Sequence, residues 1–262
     1  MAYETLTFEV REGIGHLTLN RPKAANALNF EMAQELLEVA KRCDEDAEIR
    51  AVILTGAGSM FCAGGDLQSM ATANEGIPAF IHKLADTLHA SLSILARMDA
   101  PVIAAVNGVA AGAGMSLACH ADLAIAAESA KFTMAYTAAG LTPDGSSTYF
   151  LSRMIGRRRT VELMLTNRRL SAAEALEWNI VNRVVPGEEL MAEAEKLARE
   201  LASGPTRAYG AIKKLLIASA TNDLETQMDL ETDGIAGMTE TKDGLEGMNA
   251  FLEKRAAEFT GE

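Results

Sequence analysis

The sequence predicts an α/β fold with a parallel sheet component, and three features of its pattern point there. Short strand-like segments alternate with segments of helical period through most of the chain. Two of the strands, "RAVILTG" at 50–56 and "PVIAAVNG" at 101–108, are apolar nearly throughout, as strands covered on both faces are. Each then enters a glycine-rich stretch that leads towards a helix.

In chain order, "YETLTFEV" and "GHLTLN" alternate as strands and form a hairpin around Arg11 to Gly15. Asn29 caps the next helix, whose residues Met32, Leu36, Val39 and Ala40 share one face. The strand "RAVILTG" ends on the loop "GAGSMFCAGGDL", and a helix follows over 78–97. "PVIAAVNG" leads into "GVAAGAGMSLA", and "DLAIAA" and "KFTM" are short strands. Beyond Arg157 the chain is mainly helical, with one strand near "IVNRVV". The division is a core over 1–200 and an all-helical tail over 201–262.

Composition narrows the function classes. The formal charge of −12 disfavours nucleic acid or an anionic membrane surface as the main partner. Cys43, Cys62 and Cys119 are odd in number and lie in apolar contexts, so they read as buried thiols of a reducing compartment. "MAYETLTFEV" lacks the basic start and apolar run of a signal peptide, and no segment is apolar enough to span a membrane. A soluble cytoplasmic protein is expected. His16, His82 and His120 have no partners at metal-ligand spacing, so no metal is expected. The run Arg157 to Arg159 has no interleaved aromatics and reads as a solvated or interface patch.

The two loops, "CAGGDL" and "NGVAAGAGMSLA", lack both the Walker spacing and a complete dinucleotide fingerprint. They serve either close strand–helix packing or the presentation of backbone N–H groups to an anion. Two such loops suggest a pair of donors converging on one oxygen. "GLTPDGSST" leaves a similar choice. Asp144 is either a turn former between Pro143 and Gly145, or a carboxylate held ready to move a proton.

Four segments, "LNRPKAANALN", "AVILTGAGSMFCAGGDL", "PVIAAVNGVAAGAGMSLACHADLAIAAESAKF" and "RLSAAEALEWNIVNRVV", follow one another in an order and spacing that resembles the crotonase (enoyl-CoA hydratase/isomerase) superfamily. The resemblance covers nearly the whole chain. It implies a spiral of ββα units with a helical C-terminal region that forms homotrimers or dimers of trimers. It also implies an acyl-CoA thioester as substrate and no cofactor, coenzyme A being part of that substrate. By motif position the oxyanion-hole donors are the N–H groups of Gly65 and Ala113, with Gly64, Gly112 and Gly114 as small neighbours. Lys23, Ala25 and Ala27 match the segment around the CoA adenine and phosphates. Ala63, Gly64, Gly65, Asp66 and Leu67, with Val109 and Gly112, match contacts along the thioester arm, though Asp66 equally suits a helix cap. Phe251 and Lys254, in "MNAFLEKRAAEF", match a helix that reaches a neighbouring subunit's CoA.

The same resemblance bears on the reaction. Hydratases of the family place glutamates at the positions of Ser116 and Tyr136, so efficient hydration is not expected. Asp144 falls where the family's enoyl-CoA isomerases and ring-opening isomerases carry their acid. Packed near Met134, Ala138, Ala139 and Leu141, it would be partly desolvated and hold a proton more readily. A shift of a double bond from C3 to C2 with Asp144 as proton shuttle is therefore favoured. The alternatives are a hydratase, an aryl-CoA dehalogenase or thioester hydrolase using Asp144, and a non-catalytic acyl-CoA-binding protein. For the dehalogenase, His89 matches the family histidine, but Tyr136 stands where a tryptophan is needed; His89 otherwise reads as a surface or packing residue. Residues 68–90 are expected to set the depth of the acyl pocket.

Overall fold

The computed structural model describes residues 3–262. Its strands are β1 Leu6–Arg11, β2 Ile14–Leu19, β3 Ala51–Gly56, β4 Met60–Cys62, β5 Val102–Val106, β6 Val109–Ala111, β7 Leu123–Ala127, β8 Lys131–Thr133, β9 Leu170–Ser171 and β10 Arg183–Val185. Its helices are α1 Phe30–Glu45, α2 Leu67–Ala71, α3 Ile77–Leu95, α4 Ala113–His120, α5 Ser147–Thr166, α6 Ala172–Glu177, α7 Leu190–Ala202, α8 Thr206–Ala218, α9 Leu224–Met238 and α10 Lys242–Glu253. The hairpin β1–β2 turns on Glu12 and Gly13, both with positive φ, and the Asn29 side chain accepts the Met32 N–H at 3.0 Å to start α1.

Two sheets result. One has the order β1-β2-β3-β5-β7-β10, antiparallel only at β1–β2; the other has the order β4-β6-β8-β9. The repeating logic is strand, strand, helix: β3, β5 and β7 enter the first sheet, and the strand after each, β4, β6 or β8, enters the second. This is the crotonase spiral. Both glycine-rich stretches, expected as continuous loops, therefore contain a strand, and β4 pairs parallel to β6 through Met60↔Val109 and Cys62↔Ala110. Each of these strands has 3 residues, too short for an alternation to register.

The apolar strands β3 and β5 are buried on both faces, and their alternate side chains feed two cores. Val52, Leu54, Val102, Ala104 and Val106 join the large core with α1, α3 and α4. Ala51, Ile53, Ile103 and Ala105 face α7, which contributes Leu190, Ala194, Leu197 and Ala198. Among the described residues no helix is long and apolar enough to cross a membrane.

Helix α8 is fastened to this core by a buried cation. Lys213 Nζ donates to the carbonyls of Leu95 at 2.9 Å and Ala100 at 3.1 Å, and pairs with Asp122 at 2.9 Å. Asp122 also accepts the Val102 N–H at 2.8 Å, so one lysine ties α8 to the end of α3 and the start of β5. Arg50 holds the chain on both sides of α8, donating to Gly204 O, Thr206 Oγ1 and Phe259 O. Helices α9 and α10 expose Leu224, Met228, Ile235, Leu245, Met248, Phe251 and Leu252.

Replacing Lys213 by Met would leave two carbonyls and Asp122 without their partner. Because Asp122 retains some solvent contact, the expected loss is about 2–3 kcal/mol, below the cost of breaking a fully buried pair. Urea unfolding of the variant measures it; an unchanged midpoint would contradict the anchoring role.

Candidate active site

The two glycine-rich loops meet backbone to backbone. Gly64, with φ of 102°, and Gly112, with φ of 52°, lie in a region of φ that favours glycine. A Cβ on Gly64 would lie 3.0 Å from Ala111 O and 3.4 Å from Ala113 N, and one on Gly114 would lie 2.2 Å from Cys62 O. Only glycine lets the loops close to this distance. Ala113 is the first residue of α4, so its N–H has no partner within the helix. Among the described residues, neither the Gly65 nor the Ala113 N–H donates to a protein acceptor, and both residues line one cavity of about 300 Å³.

Asp144 is a turn residue and a presented carboxylate at once. Its carbonyl accepts from Ser147 N–H at 3.2 Å and Ser147 Oγ at 2.8 Å, across Gly145 and Ser146, which have φ of 60° and 64°. The carboxylate does not bond its own backbone, as a simple turn aspartate would; Oδ1 accepts the Tyr136 hydroxyl at 2.7 Å. Ser116 Oγ lies 2.9 Å from Tyr136 Oη and 3.1 Å from the Asp144 carbonyl. Burial, reinforced by the negative charge of Asp144, raises the Tyr136 pKa, so at neutral pH the phenol is a donor and not a base. Asp144 is less desolvated than its neighbours suggested, since its side chain is 35% exposed and Ala138, Ala139 and Leu141 face solvent.

His89 stands on the other side of the carboxylate. Its Nε2 accepts the Gly145 N–H at 3.1 Å and lies 3.8 Å from Asp144 Oδ2. That acceptor role places the proton of neutral His89 on Nδ1.

Of the residues singled out from the sequence, Ala63, Gly64, Gly65, Leu67, Gly112, Ala113, Tyr136 and Asp144 line this cavity together. Leu28, Met70, Ile81, Leu84, Ala85, Leu88 and Leu141 complete an apolar wall, much of it from the 68–90 segment. Val109 and Ser116 do not line it; Ser116 is fully buried and joins Tyr136 to the Asp144 backbone. Lys23, Ala25 and Ala27 lie outside the lining, on a loop laced to the first glycine stretch by Ala63 N–H to Ala25 O and Leu28 N–H to Gly64 O. Phe251 and Lys254 are exposed at the end of α10. Asp66 caps α2 through Ser69 N–H at 3.1 Å and pairs with Arg21 at 3.0 Å. Burial opposes its ionisation, but these bonds prevail and lower its pKa.

Two residues that sequence patterns did not single out hold the loops in register. Asn26 is fully buried with positive φ, and its amide donates to the carbonyls of Ala57, Met60 and Phe61. Arg21 bridges Ala27 O and Asp66. Asn in a glycine- and alanine-rich loop is a common turn former, so nothing in the string distinguished its structural task.

Burial pushes the thiols of Cys43, Cys62 and Cys119 up to about 12, which makes them inert packing residues. His120 is also internal, with Nδ1 3.0 Å from Ser146 Oγ. Burial, helped by the charge of Lys213, pushes its pKa down to about 4 against an opposing Leu92 carbonyl. No cluster of metal-ligating side chains occurs among the described residues.

Comparison with known proteins bears on the family and the fold. The family model described as Enoyl-CoA hydratase/isomerase matches residues 9–262. The chain is 43% identical over 259 residues to a 1,2-epoxyphenylacetyl-CoA isomerase of Escherichia coli (strain K12), covering 98% of this chain and 99% of that one. It is 38% identical to a probable enoyl-CoA hydratase of Rhodobacter capsulatus, covering all of both. The crystal structure of an enoyl-CoA hydratase from Bacillus anthracis superposes with a TM-score of 0.92 at 35% identity, covering 99% of this chain and 100% of that one.

Two outcomes follow. Gly64→Ala places a Cβ against Ala111 O at a φ that L residues avoid, and is expected to cost about 1–3 kcal/mol of stability. It should also lower kcat about 10²-fold by displacing a donor; unfolding and steady-state assays read both, and wild-type values would contradict the geometry. His120 gives a pH effect. Its folded pKa of about 4 lies below the unfolded value, so between pH 6.5 and 4 the unfolded chain binds the extra proton. Stability is therefore lost as pH falls through that window, by about 3 kcal/mol at pH 4. The slope in wild type should exceed that of His120→Asn in chemical denaturation; equal slopes would overturn the assignment.

Proposed function

The chain belongs to the enoyl-CoA hydratase/isomerase family, and from that premise we propose that it shifts a double bond within an acyl-CoA thioester, with Asp144 as the single proton carrier. One observation carries this: Asp144 is the only carboxylate among the described residues that line the cavity holding the Gly65 and Ala113 N–H groups.

The thioester oxygen accepts both N–H groups, which stabilises charge developing on it. Each such donor contributes about 3–4 kcal/mol to the transition state. Asp144 Oδ2 removes a proton from C2, and the electron pair spreads over the thioester oxygen and C4. The protonated acid then returns a proton to C4, leaving the double bond at C2 and the carboxylate free. Tyr136 engages Oδ1 throughout, so one oxygen stays available. No cofactor beyond the substrate's own coenzyme A enters this sequence.

Hydration calls for a second group to activate water at C3. Ser116 lies behind Tyr136, and Tyr136 is a donor with a raised pKa, so neither supplies that base. The 1,2-epoxyphenylacetyl-CoA isomerase at 43% identity supports isomerase chemistry over hydration and adds 1,2-epoxyphenylacetyl-CoA to the candidate substrates. A second reading, attack of Asp144 on an aryl ring, draws on His89 beside the carboxylate. For the assembly, a homotrimer or dimer of trimers would cover the exposed apolar side chains of α9 and α10 and bring Phe251 and Lys254 to a neighbour's CoA. Lys23 would meet the CoA phosphates.

The test is a paired assay of wild type and Asp144→Asn on a 3-enoyl-CoA, a 2-enoyl-CoA, 1,2-epoxyphenylacetyl-CoA and a 4-halobenzoyl-CoA. Isomerisation by the wild type, reduced about 10²–10⁴-fold in the variant and with negligible hydration, is expected. Hydration without isomerisation, or activity that survives the substitution, would contradict it. Halide release would favour the nucleophile reading, and tight binding without turnover a non-catalytic role.

A further inference from the structure

Asp144 lines two cavities. The first is the apolar one that holds the oxyanion donors. The second, of about 680 Å³, lies against the same carboxylate and is lined by His89, Ser93, Arg97, Thr148 and Tyr149 among others. Ser93, Arg97 and Thr148 are exposed, so this second space opens to solvent. The gap of 3.8 Å between His89 Nε2 and Asp144 Oδ2 is too long for a direct hydrogen bond, so His89 leaves that carboxylate oxygen open to water from the second cavity. His89 Nε2 already accepts from Gly145 N–H, which fixes the ring beside the carboxylate.

We propose that this second cavity is a solvent-fed proton-exchange site: water entering it reaches Asp144 and exchanges the proton that Asp144 has taken from the substrate before it is returned. The proposal rests on the isomerase reading above and adds to it a fate for the proton. Asp144 removes a deuteron from C2 and leaves the electron pair on the dienolate. The resulting acid exchanges with water, giving HOD and a protonated Asp144. The dienolate then takes that proton at C4. Every atom is accounted for by substrate, Asp144 and water.

An alternative geometry would make the opposite prediction. A carboxylate enclosed by substrate on its only open side would carry the same deuteron from C2 to C4. Here the exposed rear of Asp144 gives water a separate approach that the bound acyl group does not block.

The experiment follows a 3-enoyl-CoA carrying deuterium at C2 through turnover in ordinary water, with the product read by NMR and mass spectrometry. In the wild type most of the transferred label is expected to be lost to solvent, with C4 receiving a solvent proton. Ser93→Trp, on the outer wall of the second cavity, should raise label retention at C4 several-fold while the isomerisation rate changes little. Thr148→Trp, on α5 where Ser93 is on α3, serves the same purpose if the first variant does not fold. Intact transfer of label in the wild type would overturn the proposal. Label loss unaffected by either filled cavity would overturn the route. Absence of any isomerised product would instead overturn the isomerase reading, an outcome distinct from both.

Discussion

The contact between two backbone loops sets the terms for everything else in this protein. Strands β4 and β6 pair in parallel, and Gly64 and Gly112 then touch with no side chain between them. That contact puts Gly65 and Ala113 on the wall of one cavity, each with a backbone N–H that has no protein acceptor among the described residues. The spiral of paired strands and helices matters to function mainly because it repeats this handover from strand to loop to helix at neighbouring places. Asn26 and Arg21 tie the 21–27 segment to the first of these loops, through the carbonyls of Ala57, Met60 and Phe61 and the Asp66 carboxylate.

The acid is placed by a different device. A tight turn with two positive φ values projects Asp144, and a chain of hydroxyls from Ser116 through Tyr136 reaches one of its oxygens. Buried polar groups in such a chain are satisfied by one another, which fixes the orientation of the carboxylate. The positions that in family hydratases carry acids thus serve here to support a third position. In the proposed reaction the donors come from backbone and would survive side-chain change, whereas the acid would be free to move from one loop to another across the cavity.

Much of this was legible in the sequence. The α/β alternation, the Asn29 cap and the two glycine loops follow from period and residue type alone. The loops' hidden strands did not, because 3 residues are too few to show a period and their pairing partner lies far along the chain. Asp144 could be read as a turn former, an acid or both at once; the turn and a carboxylate beside the cavity are what the structure shows. Ser116, at a position where family hydratases carry a glutamate, stays out of the cavity lining, because motif position reports where a side chain is attached and not which neighbour stands in front of it. The second cavity was illegible for a related reason: its walls come from α3, α5 and α8, segments that share no motif. Residues 68–90 do supply much of the apolar wall, through Met70, Ile81, Leu84, Ala85 and Leu88.

The most direct test of the central claim is a crystal structure of Asp144→Asn with an unreacted 3-enoyl-CoA bound. If backbone donors hold the thioester while residue 144 carries the proton, the carbonyl oxygen will lie about 3 Å from both the Gly65 and Ala113 nitrogens. C2 and C4 of the acyl group will then both face the side chain of residue 144. A thioester seated away from either nitrogen, or an acyl chain that turns C2 and C4 from residue 144, would contradict that division of labour.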